Sequence, residues 1–97
     1  EQVVQILDRD TQNVGIVVDA SHGNSGKDWQ VQMEVIKYLA THKHPRVRGI
    51  MIESFLNSGN QSLNNKPLKY GVSVTDACID WINTTHLLKL VEQHHKY

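Results

Sequence analysis

The sequence predicts an α/β fold with parallel strands, of a size that fits at most the end of a (β/α)8 barrel. The segment Val14–Asp19 is almost continuously apolar and rich in β-branched residues, as a strand covered by helices on both faces is, and Arg46–Glu53 carries the apolar residues of a second such strand, Val47, Ile50, Met51 and Ile52. Between them, apolar residues recur at helical spacing, and a strand, helix, strand unit has parallel strands. A complete barrel takes roughly 250 residues, whereas this chain has 97.

The elements around the first strand follow from local patterns. The apolar positions of Val3–Leu7 predict a short amphipathic helix, which we interpret as the tail of a preceding helix. The strand Val14–Asp19 ends in a turn-rich loop, Ala20–Asn24. Ser25 or Asp28 can cap the next helix, because a short side chain with an oxygen accepts hydrogen bonds from the free N–H groups of a first turn.

The helix between the two strands has one apolar and one polar face. The apolar face comprises Trp29, Met33, Ile36 and Ala40, and the polar face comprises Lys27, Gln30, Glu34 and Lys37. The segment Thr41–Pro45 marks its end, and the second strand, Arg46–Glu53, finishes on an acid.

A long segment after Ser54 shows no regular pattern and is rich in Asn, Ser and Gly. Loops of roughly thirty residues are rare in compact domains and are usually functional or disordered, so we predict a functional loop. From about Thr84 a last helix would turn Leu87, Leu88 and Val91 inward, with Asn83 as its N-cap.

Composition excludes several classes of protein. The 10 Lys and Arg residues balance the 10 Asp and Glu residues, and the pI is about 7.3, so neither nucleic-acid binding nor a polybasic membrane anchor is expected. No apolar stretch approaches the roughly 18 residues of a membrane span. The single cysteine cannot form an internal disulfide, and the N-terminus lacks a signal-peptide pattern. We expect a cytoplasmic protein, with residues 1–97 forming a single segment from the interior of a longer chain.

Three side chains that bind metals well lie where a parallel α/β sheet keeps its chemistry. His22 comes just beyond the first strand, Glu53 ends the second, and Asp76 lies in the long loop. One βα repeat separates His22 from Glu53, so both should face one pocket. An imidazole with two carboxylates suits manganese, iron, cobalt or zinc. The alternative is an accidental placement, since the chain has six histidines and ten acids.

Four segments carry a resemblance to a known enzyme family. They are Asp19–Ser25 (DASHGNS), Gly49–Ser54 (GIMIES), Gly59–Ser62 (GNQS) and Tyr70–Trp81 (YGVSVTDACIDW). On these motifs the chain resembles the C-terminal part of the type I 3-deoxy-D-arabino-heptulosonate 7-phosphate synthases, the phospho-2-dehydro-3-deoxyheptonate aldolases. The resemblance implies the C-terminal portion of a (β/α)8 TIM barrel, with its last two βα units and its closing helix.

The resemblance also implies a reaction, the metal-dependent condensation of phosphoenolpyruvate with erythrose 4-phosphate that opens the shikimate pathway. The family's metal ligands carry over onto His22, Glu53 and Asp76. Asp76 would lie nearest the aldehyde, His22 would also help to move protons, and Glu53 would bind only the metal. The family's fourth ligand is a cysteine outside this chain, not Cys78, which we expect to be a packing residue. The cations that bind the substrate phosphates also lie upstream, so we expect no turnover by this segment alone.

The matched segments depart from the family at two positions. The family would have a basic residue at Val72 and a glycine at Asp80, and we expect the extra carboxylate to face solvent. Ser21 and Asn24, which lie beside His22, are candidates to hold the second nitrogen of its ring.

Two alternatives to this function stay open. A related barrel synthase would join phosphoenolpyruvate to another sugar phosphate such as arabinose 5-phosphate, although the GNQS and TDACI segments argue against it. A non-catalytic stub would instead dock its strand edges on another chain. Because both strands expect neighbours on two edges, we expect a homo-oligomer, with neither nucleic acid nor membrane among the partners.

Overall fold

A computed structural model of the chain describes residues 14–94. The elements are β1 (Ile16–Asp19), α1 (Trp29–Thr41), β2 (Val47–Met51), β3 (Ser54–Phe55), β4 (Ile79–Asp80) and α2 (Trp81–His94). The predicted order of strand, helix, strand and closing helix is confirmed, and the short β3 and β4 are additions to it. The helix predicted at Val3–Leu7 lies outside the described residues.

β1 and β2 form a parallel pair that is joined by α1. Ile16 pairs with Val47, and Asp19 at the end of β1 pairs with Met51 at the end of β2. The pairing continues beyond β1, since the N–H of Ala20 donates to the carbonyl of Met51 at 3.0 Å. The parallel α/β fold is therefore confirmed, and the carboxyl ends of both strands lie side by side.

Asp28 is the N-cap of α1. Its Oδ1 accepts from the N–H groups of Gln30 at 2.8 Å and Val31 at 3.4 Å, as a cap does for a first turn. Ser25, the other predicted cap, is buried and donates its hydroxyl to the carbonyl of Ser21 at 2.8 Å. The buried residues of α1 are Gln32, Ile36 and Ala40.

α2 begins at Trp81, earlier than predicted, and its cap is Asp80 rather than Asn83. Oδ2 of Asp80 accepts from the main-chain N–H of Asn83 at 3.3 Å, and Oδ1 accepts from the Asn83 side chain at 2.7 Å. The expectation that Asp80 faces solvent holds only in part, because the carboxylate is half-buried and accepts these two hydrogen bonds from Asn83. Leu87 is buried as predicted, whereas Leu88 is half exposed. No helix within residues 14–94 is long and apolar enough to cross a membrane.

The long loop between β3 and β4 folds back on itself through its own polar groups. Gly59 and Cys78 exchange both main-chain hydrogen bonds, at 2.9 and 3.1 Å, and the N–H of Gln61 donates to the carbonyl of Ser73 at 2.8 Å. The Gln61 side chain spans the loop, since it accepts from the N–H of Lys69 and donates to the same residue's carbonyl, both at 2.8 Å. These bonds lead the chain back toward the ends of β1 and β2.

One turn of this loop requires glycine. The φ of Gly71 is +72°, a conformation that residues with a Cβ rarely adopt. A Cβ there would lie 2.9 Å from Leu56 Cβ and 2.9 Å from Asn57 Nδ2. The carbonyl of Gly71 accepts from the N–H of Asn57 at 2.8 Å, so the close approach is part of the loop's closure.

A small apolar core joins the helices to the strand ends. Its buried centre consists of Ala20, Ile36, Ile79 and Leu87. Trp29, Met33, Val35, Ile50, Ile52 and Val91 pack around that centre. The core lies next to the carboxyl ends of the strands, because Ala20 follows β1 directly and Ile79 opens β4.

Candidate metal centre

The three metal-competent side chains singled out in the sequence lie in loops attached to strands. His22 follows β1 in a turn, Glu53 lies between β2 and β3, and Asp76 lies just before β4. Parallel strands place the loops that follow them at one edge of the sheet. His22 and Glu53 therefore lie side by side, and the long loop brings Asp76 to them although the three residues are distant in sequence. We call these residues the His22 cluster.

The His22 cluster is compact. Nε2 of His22 lies 3.1 Å from Oδ2 of Asp76 and 3.4 Å from Oε1 of Glu53. One potential ligand atom from each residue lies within 4.8 Å of the other two. The side chains of His22 and Glu53 are 35% and 29% exposed, and that of Asp76 is 48% exposed, so the cluster opens to solvent on the Asp76 side.

Asp76 reaches the cluster because the loop is fastened on both sides of it. Before it, the N–H of Thr75 donates to Oγ of Ser73, and the carbonyl of Thr75 accepts from Nδ2 of Asn60, both at 3.1 Å. After it, Cys78 is held by both of its main-chain groups. The position of Asp76 therefore depends on the fold of the whole loop.

The other nitrogen of the His22 ring is held by Asp19. Nδ1 of His22 lies 2.7 Å from Oδ2 of Asp19, while Oδ1 of Asp19 accepts from the N–H groups of Ser21 at 2.8 Å and His22 at 3.3 Å. The bond with His22, and then the bond from Ser21, lower the pKa of Asp19. The pKa of His22 is raised, first by the hydrogen bond with Asp19 and then by the one with Asp76.

Asp19 was not predicted in this role, for which Ser21 and Asn24 were the candidates. Ser21 gives its main-chain N–H to Asp19, and Nδ2 of Asn24 donates to the main-chain carbonyl of Asp19 at 2.8 Å. Both residues therefore brace Asp19 instead of the ring. The signal was present in the sequence, because an aspartate at the start of a turn commonly accepts from the N–H groups that follow it.

Gln32 is a second residue that the sequence analysis missed. It is fully buried on α1, and its Oε1 accepts from the main-chain N–H of Glu53 at 2.8 Å. A glutamine within a buried helix face indicates a polar contact, because burying an amide without a partner is costly. The sequence does not say which group that contact reaches.

Cys78 lies beside the loop that carries Asp76 and is buried. Burial raises the pKa of its thiol, and Sγ lies 3.5 Å from the carbonyl of Asp76. A thiol that keeps its proton at neutral pH is a weak nucleophile and a weak metal ligand. These properties agree with a packing role.

Comparison with known proteins gives a consistent result. The sequence profile of the DAHP synthetase I family matches residues 2–89. The phenylalanine-inhibited phospho-2-dehydro-3-deoxyheptonate aldolase of Saccharomyces cerevisiae is 42% identical over 85 residues, and the Tyr-sensitive one of Escherichia coli is 43% identical over 83. A solved structure of phospho-2-dehydro-3-deoxyheptonate aldolase from Francisella tularensis resembles the chain with a TM-score of 0.85 at 38% identity.

The chain covers only part of each relative. The alignments with the Saccharomyces cerevisiae and Escherichia coli enzymes each span 80% of this chain and 23% of the relative. The match with the Francisella tularensis structure spans 96% of this chain and 28% of that protein. The chain thus corresponds to less than a third of the length of each of these three proteins.

Proposed function

The chain belongs to the DAHP synthetase I family, and on that premise we propose that it is the C-terminal segment of a 3-deoxy-7-phosphoheptulonate synthase. Its complete enzyme would condense phosphoenolpyruvate with erythrose 4-phosphate and release inorganic phosphate, the first step of aromatic amino acid biosynthesis. Residues 1–97 would form one segment of that enzyme and supply the last two βα units of a (β/α)8 barrel. The likeness of 96% of the chain to an aldolase structure supports this proposal.

The observation that carries the proposal is the His22 cluster. Its potential ligand atoms lie within 4.8 Å of one another, and two of the three residues, His22 and Glu53, lie just beyond the carboxyl ends of β1 and β2, where the long loop places Asp76 beside them. Functional groups of parallel α/β proteins occupy that edge, whereas packing needs no such convergence of acids around an imidazole. The cluster is therefore a better candidate for chemistry than for stability.

The donor set fits a divalent ion. One imidazole nitrogen and two carboxylate oxygens are ligands that manganese, iron, cobalt and zinc accept. The raised pKa of His22, caused first by Asp19 and then by Asp76, indicates that this part of the molecule favours positive charge. When bound, such an ion supplies Lewis acidity that polarises the aldehyde oxygen of erythrose 4-phosphate.

The three residues differ in what their positions allow. Glu53 is the least exposed of the three, and we assign it to metal binding only. Asp76 is the most exposed, so we place it nearest the aldehyde, where it also orients water. His22 would bind the metal through Nε2, because Nδ1 is bonded to Asp19, and its part in moving protons stays an expectation from the family resemblance.

Further parts of the site would come from outside these residues. The family resemblance implies a fourth ligand, a cysteine, and basic residues for the phosphates of both substrates, which favour such cations. Val17 on β1 and Ile82 on α2 are about two-thirds exposed, which supports packing against further polypeptide. We therefore propose that residues 1–97 alone do not turn over substrate, and the homo-oligomer stays a prediction.

A substrate assay on the complete polypeptide that carries this sequence, whatever its length, tests the function. The protein is stripped of metal, supplied with Mn²⁺ or left without it, and mixed with phosphoenolpyruvate and either erythrose 4-phosphate or arabinose 5-phosphate. Release of inorganic phosphate and the mass of the sugar acid are measured. We expect Mn²⁺-dependent product from erythrose 4-phosphate only.

Two results of this assay would overturn the proposal. Turnover of arabinose 5-phosphate but not of erythrose 4-phosphate would identify the related synthase. A folded protein that turns over neither sugar phosphate, when the assay is repeated with manganese, iron, cobalt and zinc in turn, would identify a non-catalytic member of the family.

A further inference from the structure

We propose that Asp19 is a positioning residue that holds the proton of the neutral His22 ring on Nδ1, so that the lone pair of Nε2 points into the His22 cluster. The importance of this lone pair rests on the proposed function, because a metal binds an imidazole nitrogen only through its lone pair. The position of the proton is inferred from the hydrogen bonds within the turn from Asp19 to His22.

The contact between Asp19 and His22 defines which nitrogen carries the proton. Oδ2 of Asp19 lies 2.7 Å from Nδ1 of His22, a length typical of a charge-assisted hydrogen bond. An ionised carboxylate only accepts, so Nδ1 must be the donor. A neutral imidazole has one donor and one acceptor nitrogen, and Nε2 is therefore the acceptor.

The carboxylate of Asp19 is itself fixed in place. Its Oδ1 accepts from the main-chain N–H groups of Ser21 and His22, so it cannot turn away from the ring without losing these bonds. The main chain of Asp19 lies in β1, paired with Met51, and its carbonyl accepts from Asn24. The orientation of the ring is thereby tied to the end of the strand.

Two carboxylates on the other side of the ring compete with Asp19 for the proton of the neutral imidazole. Asp76 and Glu53 face Nε2 at 3.1 and 3.4 Å, and these carboxylates would also accept a proton from it. The bond to Asp19 is the shorter one, so the neutral ring keeps the Nδ1 proton and gives up the one on Nε2. In free histidine the Nε2–H form predominates, so the contact with Asp19 reverses the ordinary preference.

The tautomer is measured on metal-free protein, independently of any reaction. The complete polypeptide is labelled with ¹⁵N-histidine, and the ring nitrogens of His22 are observed by NMR at a pH high enough to make the ring neutral. The His22 signals are identified by their loss in His22→Ala. We expect the Nδ1–H form in the unmodified protein, and observing mainly Nε2–H would overturn the proposal without the need for any variant.

The Asp19→Asn variant gives the second test. Asparagine keeps an oxygen for the N–H groups of Ser21 and His22 but turns an N–H₂ group toward the ring, which favours the Nε2–H form. Asp28→Asn is the matched control, because it makes the same change at the exposed cap of α1. We expect Asp19→Asn alone to shift the ring toward Nε2–H, and an unchanged tautomer would contradict the proposal.

Binding of Mn²⁺ alone, measured by calorimetry, separates this inference from the proposed function. We expect Asp19→Asn to weaken Mn²⁺ binding about 10- to 100-fold, as loss of a partner that orients a ligand does, and Asp28→Asn to leave it unchanged. Equal affinity in Asp19→Asn and the unmodified protein would overturn the role of Asp19. If the unmodified protein has the Nδ1–H form but binds none of the four metals, the proposed function fails and the orienting contact stands.

Discussion

The main-chain N–H of Glu53 donates to Oε1 of Gln32 at 2.8 Å, which ties the end of β2 to the buried side of α1. Gln32 is fully buried, and its Nε2 has no hydrogen-bond partner among residues 14–94. The bond fixes the main chain of a residue in the His22 cluster from the helix that connects β1 and β2. Glu53 is thus held by its own backbone, while His22 is held through its ring.

Replacement of Gln32 tests this attachment. Gln32→Met keeps the volume of the side chain but removes the acceptor, and it leaves the N–H of Glu53 without its partner. We expect a loss of about 1 kcal/mol in the free energy of unfolding. This is the low end of the cost of leaving a buried N–H group unpaired, because the substitution also removes the unpaired amide nitrogen of Gln32. Urea denaturation of the complete polypeptide measures it. Gln30→Met, on the exposed side of α1, should change stability by less than about 0.5 kcal/mol.

Removal of the His22 ring should separate metal binding from folding. The ring is one-third exposed, so His22→Ala should leave the far-ultraviolet circular dichroism spectrum unchanged while it abolishes binding of Mn²⁺. The metal content after dialysis is the measurement. His86→Ala, at an exposed position of α2, is the control and should retain the metal. Full metal content in His22→Ala would remove His22 from the site.

The pKa shifts predict how the stability of the metal-free protein depends on pH. The pKa of His22 is raised, first by Asp19, so its stabilising effect is complete below the ordinary value of about 6.5 and is lost as pH rises through the raised pKa. The pKa of Asp19 is lowered, first by His22, so its stabilising effect is present above about 3.9 and is lost as pH falls through the lowered pKa. Stability from this pair should therefore be greatest between those two limits.

Melting temperatures of the metal-free protein, measured within and on both sides of that pH range, test the direction of this pH dependence. The unmodified protein should lose stability relative to Asp19→Ala both above and below the window. A difference between the two proteins that does not vary with pH would show that the Asp19–His22 pair makes no pH-dependent contribution to stability.

The cap of α2 should contribute measurably to stability. Asp80→Ala removes the acceptor for the main-chain N–H of Asn83, and loss of an N-cap costs about 1 kcal/mol. Asp80→Asn keeps an acceptor oxygen and should cost only a few tenths of that amount. Chemical denaturation compares the two, and equal stability of Asp80→Ala and the unmodified protein would show that the cap is not used.

The regular elements were predictable because their periodicity is local. The apolar residues of β1 and β2 and the helical spacing of α1 depend on residues close in sequence. The start of α2 was predicted too late, since Trp81 and Ile82 are exposed and add no periodic face. β3 and β4 have two residues each, and such short strands follow from the register of the surrounding fold rather than from a local pattern.

The candidate site was predictable only in part. The βα repeat indicates that His22 and Glu53 share a pocket. Asp76 was singled out as a metal-competent residue of the long loop, but the repeat does not place it in that pocket, because its position depends on how the loop folds back. Gln32 was not predictable, since its partner is the backbone of a residue on another element. Asp19 was overlooked although the turn from Asp19 to His22 has a recognisable pattern.

The central claim is that the His22 cluster binds a divalent metal, and titration with Mn²⁺ tests it most directly. The complete polypeptide is compared with Glu53→Gln and Asp76→Asn, which keep the shape of each side chain but remove its charge, and with Glu34→Gln, an exposed residue of α1, as the control. We predict one bound Mn²⁺ per chain in the unmodified protein and in Glu34→Gln, with at least about tenfold weaker binding in the two cluster variants. Binding of equal strength in all four proteins would place the metal elsewhere and contradict the claim.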